Sequence, residues 1–234
     1  MTSVLAPGPH LTIIDRSCQN QMALALRRAF DYTLEGRTQL TRPLFAVPGF
    51  SGRKFRIFLN NLLATVTDPR YLEIGVLSGA SFITAIYRNR VKGTAIDNWS
   101  WPGGDIDRFK AYLTEFGADS DVAVLNTDFR TVDFAGLPAH NVLFYDGSHA
   151  EEDQLDGVRL PSQAMDPSFI AIVDDWNWEH VRRGTFAGLS QAGCRIDYMI
   201  EVRTTLDNRK GVPESHGPAS DWHNGMFAAV VTRA

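Results

Sequence analysis

Between residues 70 and 191, short apolar runs alternate with stretches of helical periodicity, and nearly every run stops at an acidic residue. Strand followed by helix, repeated, leaves few folding solutions. The crossovers place helices on both faces of a parallel sheet, giving a doubly wound α/β architecture. Strands are read at 70–74, 93–96, 122–125, 141–145 and 169–173, and helices at 80–87, 105–116, 149–164 and 179–191. The tail departs from this pattern. Residues 195–203 and 226–231 are β-rich with no helix signal between them, so they are expected to be antiparallel and to close the far edge. The fold expected is a mostly parallel sheet of seven strands with an antiparallel last strand.

The first fifty residues are less regular. A helix is expected at 17–34, with Met22, Leu24, Leu26 and Phe30 apolar, before Pro43, Pro48 and Gly49 break the chain. Ser51 then offers an N-cap to a helix carrying Phe55, Phe58, Leu59, Leu62, Leu63 and Val66 on one stripe, ended by Asp68-Pro69. We therefore divide the 234 residues into an N-terminal helical cap, 1–50, and one globular unit, 51–234. The N-terminal helices could pair protomers in a homo-oligomer.

Net charge is −4 and no basic run occurs, which disfavours a nucleic-acid surface. Cys18 and Cys194 are too few and too far apart for a disulfide framework or a metal knuckle. No signal peptide and no membrane-length apolar run are evident, so a cytoplasmic location is expected.

Ligands of such sheets bind beyond the carboxyl ends of the strands. There the chain places Glu73, Asp97, Asp128, Asp146, Asp174 and Asp175. The first strand runs into Glu73-Ile74-Gly75-Val76-Leu77-Ser78-Gly79-Ala80-Ser81. Its Gly-x-x-x-Gly spacing is not the dinucleotide fingerprint, and the Walker Gly-Lys-Ser/Thr is absent. Glu73 would repel a pyrophosphate and suits a ligand with a positive group. S-adenosylmethionine (SAM), with its amino acid moiety and sulfonium, satisfies both features. Asp97, roughly 20 residues further on, can accept hydrogen bonds from ribose hydroxyls.

Tyr71 to Ser81 resembles motif I of the class I SAM-dependent methyltransferases. Ala95-Ile96-Asp97 is similar to their second acidic strand end, and Asn126-Thr127-Asp128-Phe129 to the segment near the adenine. The resemblance implies a Rossmann-like fold and cofactor contacts from Glu73, Gly75, Ser78, Gly79, Ser81, Asp97 and Asp128. Gly52 and Arg53 are expected near the cofactor carboxylate.

Asp146 and the Asp174-Asp175 pair end what should be neighbouring strands. Three uncompensated carboxylates at one rim repel, and a bound divalent cation resolves that conflict. Hard oxygen ligands favour Mg²⁺ or Ca²⁺ over Zn²⁺, while helix capping by Asp146 and Asp175 is the competing explanation. The arrangement is similar to the metal-dependent sugar and macrolide O-methyltransferases. That resemblance implies Asp146, Asp174 and Asp175 as ligands of Mg²⁺, which would hold the substrate hydroxyl, and makes Asp146 a catalytic residue as well. Those enzymes carry an acid two places after the first Asp; Ser148 stands there instead. The catechol type places a basic residue one position later, where this chain has His149, a candidate general base.

The expected acceptor is therefore a small hydroxylated molecule, with no nucleic acid or membrane partner. Two alternatives stay open: metal-independent transfer with His149 as base, and SAM binding without transfer. Trp99, Trp101, Pro102, Gly103 and Gly104 form a loop that either covers the adenine or buries against the sheet edge. Trp176, Asn177 and Trp178 are candidate acceptor-pocket walls. Ser215, His216 and Pro218, with 221–225, form a candidate substrate loop.

Overall fold

In the computed structural model, which describes residues 9–16, 20–211 and 219–233, the apolar runs become the strands of one eight-stranded sheet. The strands are β1 (His10–Asp15), β2 (Arg70–Ile74), β3 (Lys92–Asp97), β4 (Asp121–Asn126), β5 (His140–Tyr145), β6 (Met165–Asp174), β7 (Cys194–Arg203) and β8 (Met226–Arg233). The helices are α1 (Gln21–Leu34), α2 (Arg42–Phe45), α3 (Arg53–Thr65), α4 (Ala80–Ile86), α5 (Ile106–Phe116), α6 (Glu151–Arg159) and α7 (Glu179–Gln191). The sheet order is β1-β7-β8-β6-β5-β2-β3-β4. Strands β6, β5, β2, β3 and β4 are mutually parallel, whereas β8 runs antiparallel to both β6 and β7.

Alternation along each strand feeds two cores. Tyr71, Ala95, Phe144, Ile172 and Ala228 face a layer built from α1, α3, α4 and α5. Leu72, Ile96, Leu143, Tyr145, Val173 and Phe227 face α6 and α7. Phe82 on α4 packs between Tyr71 and Phe109, with ring centroids 5.4 and 5.6 Å away. A fully buried ring of this size contributes about 1.5–3 kcal/mol, so this cluster holds the strand-to-helix turn firmly from beneath.

Three expectations are corrected. There are eight strands, not seven, because the N-terminal segment, expected to be helical, contributes β1. All six β1 residues are exposed. The strand is held by its ladder to β7 and by Arg16 N donating to Asp197 O at 2.8 Å, so burial left no period in its sequence. The tail strands β7 and β8 pair antiparallel as expected, but they do not close the far edge, because β1 adds beyond β7. The N-cap of α3 is Gly52 rather than Ser51. The Ser51 hydroxyl instead accepts from the buried Arg56 Nε at 3.1 Å.

Helix α1 begins at Gln21, where Asn20 caps it by accepting from Met22 N at 2.8 Å. Leu24, expected on its apolar stripe, is exposed. Ser17 and Cys18 lie outside the described residues, as do Ser215, His216 and Pro218. Among the described residues no helix is long and apolar enough to cross a membrane.

Candidate active site at the carboxyl rim

The chain leaves β2 through Gly75 and enters α4 after Gly79, both at φ +92°. A side chain at either position would collide with the fold. A Cβ on Gly75 would stand 2.0 Å from Asp146 O, and one on Gly79 would stand 2.6 Å from the Phe109 ring. Packing against Asp146 and Phe109 is thus what requires glycine at both positions.

Asp97 braces the turn. Its Oδ2 accepts from Leu77 N at 2.8 Å and its Oδ1 from Trp99 N at 2.6 Å. Trp99 Nε1 donates to Leu77 O at 2.6 Å, and the buried Ser78 hydroxyl donates to Gly103 O at 3.1 Å. The Trp99 ring stacks on Phe109, so it buries against α5, while Trp101 is exposed.

Glu73 and Ser81 are placed differently from the expectation. Glu73 is fully buried on the α4 side, where its carboxylate accepts from Tyr71 Oη and from Ser81 Oγ, each at 2.5 Å. Burial raises its pKa from 4.5 to about 8, although both hydroxyls act in the opposite direction. These two residues support the turn from below rather than presenting free groups to a ligand. Asp128 is half exposed and caps a short turn, accepting from Arg130 N at 2.9 Å.

Gly52 and Arg53 do not present a free helix end. Arg53 N donates to Ser220 O at 2.7 Å, and Lys54 N and Phe55 N donate to Asp221 O at 2.9 and 3.2 Å. A Cβ on Gly52 would stand 2.3 Å from Asp221 O, so this glycine serves the loop before β8.

On the other side of the turn the expected acidic group assembles. Ile74, Tyr145 and Val173 are in register across β2, β5 and β6, so the residues following them share one rim. Ligand oxygens of Asp146, Asp174 and Asp175 lie within 4.8 Å of one another. Burial first, then mutual repulsion, holds Asp146 and Asp174 well above the usual carboxylate range. Asp174 Oδ1 is buried with no hydrogen-bond partner. The capping explanation does not describe these side chains. The N-caps of α6 and α7 are Ala150 and Trp178, and neither helix has a side-chain cap bond. A bare buried oxygen among three carboxylates fits a small divalent cation.

Asp175, at φ +56°, accepts from Asn224 Nδ2 at 2.6 Å on Oδ1 and meets His149 Nε2 at 3.0 Å on Oδ2. The His149 ring lies edge-on to Trp178, with centroids 5.2 Å apart, and its Nδ1 is buried with no hydrogen-bond partner.

Trp176 and Asn177 are not pocket walls: both are completely buried. Trp176 stacks on Phe227 and donates to Glu201 Oε2 at 2.6 Å. Asn177 Oδ1 accepts from Thr204 N at 2.8 Å and Thr205 N at 3.2 Å, anchoring the loop after β7. The grip of Asn224 on Asp175 had no sequence signal beyond a turn-like Asn-Gly pair.

No family model and no curated protein matches the chain. Solved structures do. Cofactor-bound Rv0187 from MTB is 17% identical, with 92% of each chain covered and a TM-score of 0.53. A candidate O-methyltransferase from Klebsiella pneumoniae is 13% identical over 90% of each chain, with a TM-score of 0.52. The chain has a Rossmann-like methyltransferase fold. Its turn, Asp97 and acidic group all lie at the carboxyl rim, where this methyltransferase fold leaves its ligand crevice. The fold alone does not choose the reaction. TrmN from Thermus thermophilus is also similar, at 13% identity and TM-score 0.53, over 82% of this chain and 52% of its own.

Proposed function

We propose that the chain is a SAM-dependent methyltransferase that methylates a hydroxyl of a small molecule with the help of a divalent cation, Mg²⁺. The observation that supports this most is the convergence of Asp146, Asp174 and Asp175 beside the Gly75 turn, with Asp174 Oδ1 left bare. When bound, SAM supplies an electrophilic methyl on its sulfonium. Asp97 would hold the ribose hydroxyls, and the backbone of Gly75, Ser78 and Gly79 would line the cofactor's approach. Asp146, Asp174 and Asp175 would hold the cation, whose charge lowers the pKa of a bound hydroxyl.

His149 receives the proton. Its Nε2–H donates to Asp175 Oδ2, which leaves the neutral ring's lone pair on Nδ1. Asp175 thereby fixes the orientation of the ring, as a carboxylate partner does for a general base. Alignment of acceptor oxygen, methyl and sulfur in line supplies much of the remaining advantage.

The same dyad supports a second reading, transfer without a cation. One experiment separates the possibilities. The protein is incubated with methyl-labelled SAM and a panel of hydroxylated small molecules, sugars included, in Mg²⁺ or in excess chelator. An O-methylated product that chelator suppresses is expected. Undiminished product in chelator removes the cation. SAM binding with no product from any acceptor favours a binding protein.

A further inference from the structure

Asn224 is buried two residues before β8, which runs beside β6. Both ends of its amide are used. Nδ2 donates to Asp175 Oδ1 at 2.6 Å, and Oδ1 accepts from Gly211 N at 2.8 Å. Nδ2 also lies 3.2 Å from His223 Nε2. The Asn224 carbonyl accepts from Asn177 N at 2.8 Å, close behind the acidic pair.

Asp175 needs such a partner. Its left-handed backbone, φ +56°, is unfavourable for a residue with a Cβ, so local geometry alone does not set its carboxylate. With one oxygen held by Asn224, the other is directed to the side of the rim where His149 stands. A single amide thus connects the 204–211 loop to the acidic group.

We propose that Asn224 is a positioning residue for the cation site, fixing the carboxylate of Asp175 and through it the ring of His149. This rests on the cation reading above. Groups that orient ligands from behind typically change metal affinity about 10–100-fold when removed.

The test uses the full chain and Mn²⁺ alone, titrated by calorimetry into wild type, Asn224→Ala and Asn224→Ser. The Mn²⁺ electron paramagnetic resonance spectrum and the metal-free melting temperature are recorded for each. Wild type is expected to bind, with affinity falling about 10–100-fold in Asn224→Ala and the Mn²⁺ spectrum changing shape. Asn224→Ser keeps a short donor and should fall between the two. It also carries the test if the alanine variant does not fold. Wild-type affinity and spectrum in the folded variants overturn the role of Asn224 while leaving the cation in place. No binding by wild type overturns the cation reading, and this proposal with it.

Discussion

Gly75 and Asp146 touch through their backbones: Asp146 O lies where the Cβ of any other residue at position 75 would be, 2.0 Å away. Asp146 N also donates to Ile74 O at 2.9 Å. The candidate cofactor turn and the first acid of the candidate cation site are therefore one mechanical unit.

Gly75→Ala should disturb both halves of that unit. A left-handed backbone costs a residue with a Cβ about 1–2 kcal/mol, and overpacking adds about 1–3 kcal/mol. Urea unfolding is expected to show a loss on the order of 2–5 kcal/mol. A variant as stable as wild type would mean that the turn has room to relax.

Glu73 makes the stability of the metal-free protein fall as pH rises from about 4.5 to about 8. Its pKa is raised from 4.5 to about 8 by burial. A raised carboxylate pKa means that the folded chain holds the proton more tightly than the unfolded one. The associated stability is complete below about pH 4.5 and is lost as pH rises through about 8. At about 1.4 kcal/mol per pH unit, the loss is on the order of 5 kcal/mol. In Glu73→Gln the fall in melting temperature between pH 5 and 8 should become shallower; an unchanged profile would contradict it.

Asp174→Asn tests the strained carboxylates. In wild type, burial and the charge of Asp175 raise the Asp174 pKa, so its ionisation opposes folding at neutral pH. Without metal, the variant should melt higher than wild type at pH 8 and close to it at pH 5. For a chain of this size each 1 kcal/mol moves the melting temperature by about 2–4 °C. Calorimetry should show Mn²⁺ binding abolished and SAM binding kept. Retained Mn²⁺ affinity would remove Asp174 from the ligand set.

His149→Phe keeps a ring beside Trp178 and removes both nitrogens. With saturating metal, kcat should fall about 10²–10⁴-fold, the usual contribution of a positioned base, with little change in acceptor KM. A kcat within a factor of two of wild type would assign the proton to another group.

Much of the fold was legible because burial leaves a period. The runs at 70–74 and 179–191 coincide with β2 and α7, and Asp105 caps α5 by accepting from Arg108 N at 2.9 Å. The three acids of the rim were legible for the same reason: Asp174 ends a buried strand, and Asp146 and Asp175 each follow one. Strand β1 was not, because an edge ladder without burial leaves no such signal.

What the sequence by itself determined is therefore the set of elements and the residues standing at their ends. The tertiary structure decided which way those residues turn and whom they meet. Glu73 shares a face of β2 with Tyr71, so the helix packed on that face supplies Ser81 and closes over the carboxylate. Asn224 reaches Asp175 only because β8 inserts beside β6, pairing Met226 with Asp174. Periodicity records burial along one segment. The partner of a polar group is set by register between segments far apart in the chain, and that exists only once the sheet has formed.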